Sequence, residues 1–211
     1  MIKKTLFITF FLLSVCPCFL TAQDSWGPDF RKGRIGVSFS SFGKNTGLYL
    51  TNVDGSASYD NGGFFALGLN YTYPLNRWLD FETGVEYARH EITVVSAPIS
   101  GERPADKKIM LSLIGIPLTF RANFLKYAFV NGGLQMDIDT SSGHDIDNQT
   151  GLGAMLGTGI KYDFKCGFSM FINPYMRMHA LLPFAPRNLH LRICEGGVRI
   201  GVSANLSGGT K

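Results

Sequence analysis

The feature that most constrains this chain is alternation. Eight segments, at about 33–42, 63–73, 78–95, 108–123, 126–140, 151–164, 167–182 and 190–206, switch between apolar and polar residues at almost every step. A period of two places neighbouring side chains on opposite faces of a strand, and no helix keeps that period over such lengths. In the last segment Val198, Ile200, Val202, Ala204 and Leu206 share one face, with Glu195, Gly197, Arg199, Gly201, Ser203 and Asn205 on the other. The seventh sets Phe168, Met170, Ile172, Pro174, Met176 and Met178 against Ser169, Asn173, Tyr175, Arg177 and His179. The third sets Leu79, Phe81, Val85 and Tyr87 against Asp80, Glu82, Gly84, Glu86 and His90. In the sixth, Leu152, Ala154, Leu156, Ile160, Tyr162 and Phe164 oppose a glycine-rich face. Ordinary strands run to about 5–6 residues, whereas a tilted strand crossing a bilayer needs about 9–11. Every segment reaches the second length.

The connections alternate too. Tight turns fall near Pro74-Leu75-Asn76-Arg77, Phe124-Leu125 and Lys165-Cys166; longer connections span 43–62, 96–107, 141–150 and 183–189 and are rich in Asn, Asp, Ser, Gly and Pro. Short turns at one end and long loops at the other characterise membrane barrels. The expected fold is all-β: an eight-stranded antiparallel up-and-down transmembrane barrel. Pattern alone does not say which face looks outward. Three features choose the apolar one. The polar face carries Gly and charges of both signs, as suits a narrow interior where charges must pair. Tyr71, Tyr73, Trp78, Phe120, Phe124, Tyr127, Tyr162, Phe164 and Phe168 gather near the short turns, where barrels carry aromatic girdles. Only 17% of the chain is charged, too little for a well-wetted soluble surface. Segment 108–123 fits less cleanly: Leu111 and Leu113 fall on the inward face, which predicts a bulge or an extension beyond the bilayer.

Residues 1–23 read as an address. Lys3 and Lys4 precede an apolar run from Thr5 to Leu20 and the exit Thr21-Ala22-Gln23, the layout of a cleaved secretory signal peptide. Residues 24–211 then form the barrel domain. Of 20 basic and 16 acidic residues, Lys3 and Lys4 leave with the signal, so the mature net charge is +2, no basis for nucleic-acid binding. The expected location is the cell outer membrane, with lipid around a monomeric barrel.

The mature chain resembles the small eight-stranded outer-membrane barrels and, within them, the PorT-like outer membrane β-barrel family. The resemblance rests on Gly36-Val37-Ser38 in the first strand, Leu113-Ile114-Gly115-Ile116-Pro117-Leu118, the pair Gly132-Gly133 entering Leu134, and the signal ending Thr21-Ala22-Gln23. The chain departs from such barrels in closing its last strand on Leu206 rather than an aromatic residue. The resemblance implies a role in a protein secretion or gliding apparatus.

Candidate functional residues lie on the inward face. Arg34, Asp80, His90, Asp139 and Asp163 belong to it, with a charge network of Glu82, Glu86, Arg121, Asp137, Lys161, Arg177, His179, Glu195 and Arg199. An eight-stranded barrel is just wide enough for side chains to fill it, and isolated charges there are prohibitively costly. These groups are expected to form a paired plug, with Arg177 or Arg199 joined to Glu195. A lumen His without a Ser beside it does not indicate catalysis, so no enzyme activity is expected. Loop residues His144, Asp145, Asp147 and Asn148 lack calcium-loop spacing, and no metal or cofactor is expected. Cys166 at a turn and Cys194 near the opposite rim are expected as free thiols. The expected role is structural or interactive, through surface loops 43–62 and 96–107. A narrow pore or carrier for small solutes is the alternative, and a lipid-modifying barrel enzyme a more distant one.

Overall fold

The computed structural model describes residues 33–48, 58–60, 62–95, 107–124, 126–141, 146–185 and 190–206. Among these described residues nine strands follow in order: β1 (Arg34–Leu48), β2 (Ser58–Asp60), β3 (Phe64–Pro74), β4 (Leu79–Val95), β5 (Lys107–Phe124), β6 (Ala128–Asp139), β7 (Gly151–Asp163), β8 (Phe168–Pro183) and β9 (Arg192–Asn205). Neighbours pair antiparallel, β1 pairs with β9, and β4 pairs with both β3 and β5, so the sheet closes on itself. The short β2 pairs with the outer end of β4, in line with β3, and adds no separate stave. The barrel therefore has eight staves: an all-β, closed, antiparallel, up-and-down fold.

The short turns are built by local chemistry. At the β3–β4 turn Asn76 Oδ1 accepts hydrogen bonds from the backbone N–H groups of Trp78 (2.9 Å) and Leu79 (2.8 Å). At the β7–β8 turn Gly167 adopts φ 85°, a conformation open to glycine.

The staves are apolar outside and polar inside. Val37, Leu67, Leu69, Val85, Leu156, Ile160 and Met176 are all more than half exposed, whereas Glu82, Glu86, Arg177, Glu195 and Arg199 are buried. A soluble barrel has the opposite arrangement; a barrel in lipid has this one. Around the short-turn rim Tyr71, Tyr73, Trp78, Phe120, Phe124, Tyr127, Tyr162 and Phe168 are exposed, with Tyr127 and Tyr162 stacked at 6.0 Å. Phe164 differs from the expectation. It lies just past the end of β7 and is buried at the rim, its ring edge to face with Tyr162 at 4.8 Å.

Toward the other rim the arrangement inverts. On β4 the outward face is Phe81, Thr83, Val85 and Tyr87, then Arg89 and Glu91. Exposed Lys108 donates to Glu91 at 2.7 Å, and that bond raises the Lys108 pKa above its ordinary value. Inside, at the same height, Ala66, Ala88, Ile92, Ile109, Leu111, Leu113, Ile146, Leu191 and Ile193 form a buried apolar cluster. The 18 residues of β5 span roughly 45 Å along the barrel axis at 3.3 Å per residue and a tilt of about 40°, against an apolar band of about 25 Å. Leu111 and Leu113 point inward because β5 extends beyond the bilayer. There is no bulge at this point, since the β4–β5 register runs unbroken past both residues.

Two register shifts were not expected. One falls between Ser41 and Lys44, where Phe42 takes φ 58°, and β1 then continues to Leu48 along β9. Part of the predicted loop 43–62 is therefore strand; the rest, apart from Ser58–Asp60 and residue 62, lies outside the described residues, as do 96–106 and the signal segment. The other shift falls opposite Leu152–Ala154, where Ala180 takes φ 45°. His179 keeps the inward phase it shares with Arg177, while the shift buries Ala180 beside it and sends Leu182 outward.

Candidate functional site

The lumen is filled in layers. Nearest the short turns, Arg34 (β1) reaches Asp163 at 3.1 Å and Asp80 at 3.4 Å. Asn123 donates to Asp80 at 2.8 Å, and Lys161 stands 3.7 Å from Asp163. Lys161 belongs to this rim group, apart from the central charges.

In the middle, Glu82 (β4) sits between two guanidinium groups, Arg121 (β5) and Arg199 (β9), the latter at 2.7 Å. Two inward rings support them. Arg121 lies over Phe129 (4.5 Å) and Phe171 (5.0 Å), and Arg199 lies over Phe171 (5.3 Å). Glycine makes room for these rings. A Cβ at Gly159 would stand 2.5 Å from the Phe129 ring, and one at Gly201 2.4 Å from the Phe171 ring.

Above this, Arg177 (β8) joins Glu86 (β4) and, at 3.1 Å, Glu195 (β9). Tyr175 donates its hydroxyl to Glu195 at 2.9 Å. His179 Nδ1 lies 2.8 Å from Asp137, whose other oxygen accepts from Gln135 at 2.6 Å. His90 is completely buried, stacked on Phe64 at 5.7 Å.

Of the two pairings expected for Glu195, the structure makes the one with Arg177; Arg199 goes to Glu82, because β9 brings its position over β4 across the bore. Asp139 stands apart from these layers, accepting from the backbone N–H groups of Ser141 and Gln149 and so tying down the segment that enters the outer mouth. Gln149 and Asp147 in turn bond the backbone of Leu191. Asn148 accepts from Thr150 N, while His144 and Asp145 lie outside the described residues. Phe129 and Phe171 were missed as members of the charge network, although their strand phase already places them inward. Cys166 and Cys194 are not joined in a disulfide.

A closed eight-stave barrel with an exposed apolar belt and a buried ionic interior defines the class: this is a transmembrane β-barrel. No protein-family profile matches the chain, and no curated protein matches it. Among solved structures it is similar to the outer membrane protein AlkL in lipid bilayers, at 14% identity over 90% of this chain and 98% of that one, TM-score 0.47. It is also similar to the outer membrane protein OprG from Pseudomonas aeruginosa, at 14% identity over 83% and 95%, TM-score 0.43. A third is the translocator domain of the autotransporter NalP from Neisseria meningitidis, at 10% identity over 96% and 97%, TM-score 0.36.

Proposed function

We propose that this protein is an outer-membrane barrel that acts as a closed scaffold, without catalysis, and presents its long-loop rim to a protein partner. The observation that supports this is the continuous filling of the bore. Arg121, Arg177 and Arg199 with their carboxylates span its middle, and Leu111, Leu113, Leu191 and Ile193 span it above. A bore filled by paired charges and then by aliphatic side chains offers no hydrated path, and ions do not cross an aliphatic layer. The partner surface comprises the connections 43–62 and 96–107. Through the PorT-like resemblance of Leu113–Leu118 and Gly132–Leu134, the search for the partner goes first to secretion or gliding components.

Two experiments test this reading. Purified barrel in planar bilayers is expected to stay silent at moderate voltage; steady unitary conductance would replace the scaffold reading with the pore. Photo-crosslinkers placed singly in 49–57 and 96–106 in intact cells are expected to capture one defined adduct, which sites on the short-turn rim do not. No difference between the two rims sinks the partner reading.

A further inference from the structure

The two lumen histidines and Glu195 form a group whose remaining chemistry is unspent. His90 (β4), His179 (β8) and Glu195 (β9) are all completely buried. The two imidazole rings meet edge to face, centroids 5.2 Å apart. His90 Nδ1 lies 3.5 Å and His179 Nε2 3.6 Å from one atom, Glu195 Oε2. These separations exceed a good hydrogen bond. Neither nitrogen of His90, nor His179 Nε2, nor Glu195 Oε2 has a hydrogen-bond partner. Buried polar atoms are nearly always paired, because leaving one unpaired is costly. Here several are gathered in one place.

The far sides of the same groups are well held. His179 Nδ1 faces Asp137 at 2.8 Å, so a proton on that nitrogen is donated there, and Nε2 is the nitrogen turned toward Glu195. Glu195 Oε1 is engaged by Tyr175 and Arg177, which leaves Oε2 for the histidines. A carboxylate behind an imidazole is the arrangement that orients metal-binding histidines. Charge points the same way. The layer holds three carboxylates, Glu86, Asp137 and Glu195, against one guanidinium, Arg177. With neutral imidazoles that is two negative charges in excess.

We propose that His90, His179 and Glu195 bind a divalent transition-metal ion, zinc by the chemistry of the set. Two imidazoles and a carboxylate suit zinc rather than the all-oxygen calcium or magnesium. Tetrahedral zinc with bonds of about 2.0–2.1 Å holds its ligand atoms about 3.3–3.4 Å apart; two of the three edges here measure 3.5 and 3.6 Å, and all three ligand atoms lie within 4.8 Å of one another. The ion offsets the excess charge and ties β4, β8 and β9 together across the bore. Ile92 and Ile193, the next inward residues beyond His90 and Glu195, and Leu111 opposite His90 belong to the buried apolar cap, and the Glu86–Arg177 pair lies on the short-turn side, so the ion enters as the barrel closes and does not exchange afterwards. The site is independent of the partner reading.

The test uses the untagged full chain, extracted from membranes in detergent and dialysed against EDTA, with metals measured by mass spectrometry. One zinc per chain is expected in the folded barrel, released when urea unfolds it in the presence of chelator. His90→Gln and His179→Gln are expected to reduce bound zinc to background, and Asp137→Asn to weaken retention by about 10–100-fold. Heat-dependent gel migration reports whether each variant has closed. Refolding the wild type with cobalt(II) gives a second readout, the intense visible bands of a tetrahedral ion with imidazole ligands, which does not depend on any variant folding. Background metal in the folded wild type after both extraction and refolding with zinc overturns the proposal. So does full metal retention in a closed His90→Gln, His179→Gln double variant.

Discussion

Glu82 is the most consequential single charge in the bore. It is the only carboxylate within ion-pair distance of either Arg121 or Arg199 among the described residues. Glu82→Gln removes the charge, keeps the shape, and leaves two buried guanidinium groups without a counter-ion. Breaking a buried pair costs about 3–5 kcal/mol, or roughly two to four decades in the folding equilibrium at about 1.4 kcal/mol per decade. Glu86 provides the internal control. Its partner Arg177 keeps Glu195 at 3.1 Å after Glu86→Gln, so the loss is that of a charged hydrogen bond, about 1.5–3 kcal/mol. The assay is a urea titration of each variant refolded into phospholipid vesicles, followed by tryptophan emission and by gel migration. A loss below about 1 kcal/mol for Glu82→Gln would refute the view that these pairs hold the barrel closed. So would Glu86→Gln proving the costlier change.

Other outcomes follow from the two zones of the wall. Val85→Arg, at the middle of the lipid-facing belt, is expected to cost about 2–4 kcal/mol, whereas Met110→Arg, on the outward face above the belt, is expected to cost about 0–1 kcal/mol, both in the same titration. Leu111→Ala opens a cavity in the apolar cap and is expected to cost about 2–5 kcal/mol while the barrel still closes; a neutral result would mean the cap is loosely filled. Cys166 is expected to react with a membrane-impermeant maleimide from the short-turn side only, and oxidation is expected to leave gel migration unchanged, because Cys166 and Cys194 sit near opposite rims.

Much of the wall was legible from the residues because strand phase is local. Val198-Arg199-Ile200 or Glu82-Thr83-Gly84-Val85 declares its two faces without knowledge of the partner strand. Leu111 and Leu113 broke the pattern and thereby announced the stretch of wall that leaves the bilayer. What was not legible depends on closure. Nothing near Arg199 says that its counter-ion is Glu82, on a strand that meets it only across the bore. Residues Lys44-Asn45-Thr46-Gly47 read as loop by composition, yet they pair with Gly196-Glu195-Cys194-Ile193 because β9 extends beside them. The shift at Ala180, which buries a residue whose strand phase pointed outward, rests on a left-handed alanine that no propensity announces. That His90 and His179 both face inward was legible; that they converge on one carboxylate oxygen was not.

The pairings that fill the bore join residues far apart along the chain: Arg34 with Asp163, Glu82 with Arg199, Glu86 with Arg177. The β4–β5 and β8–β9 hairpins hold the Glu82–Arg121 and Arg177–Glu195 pairs, but Glu86 and Arg199 meet their partners only across the bore. A half-assembled sheet entering the acyl layer would bring naked guanidinium and carboxylate groups with it, so the strands have no stable stopping point on the way in. Insertion and closure must proceed as one event, with the last strand, which brings Glu195 and Arg199, completing both.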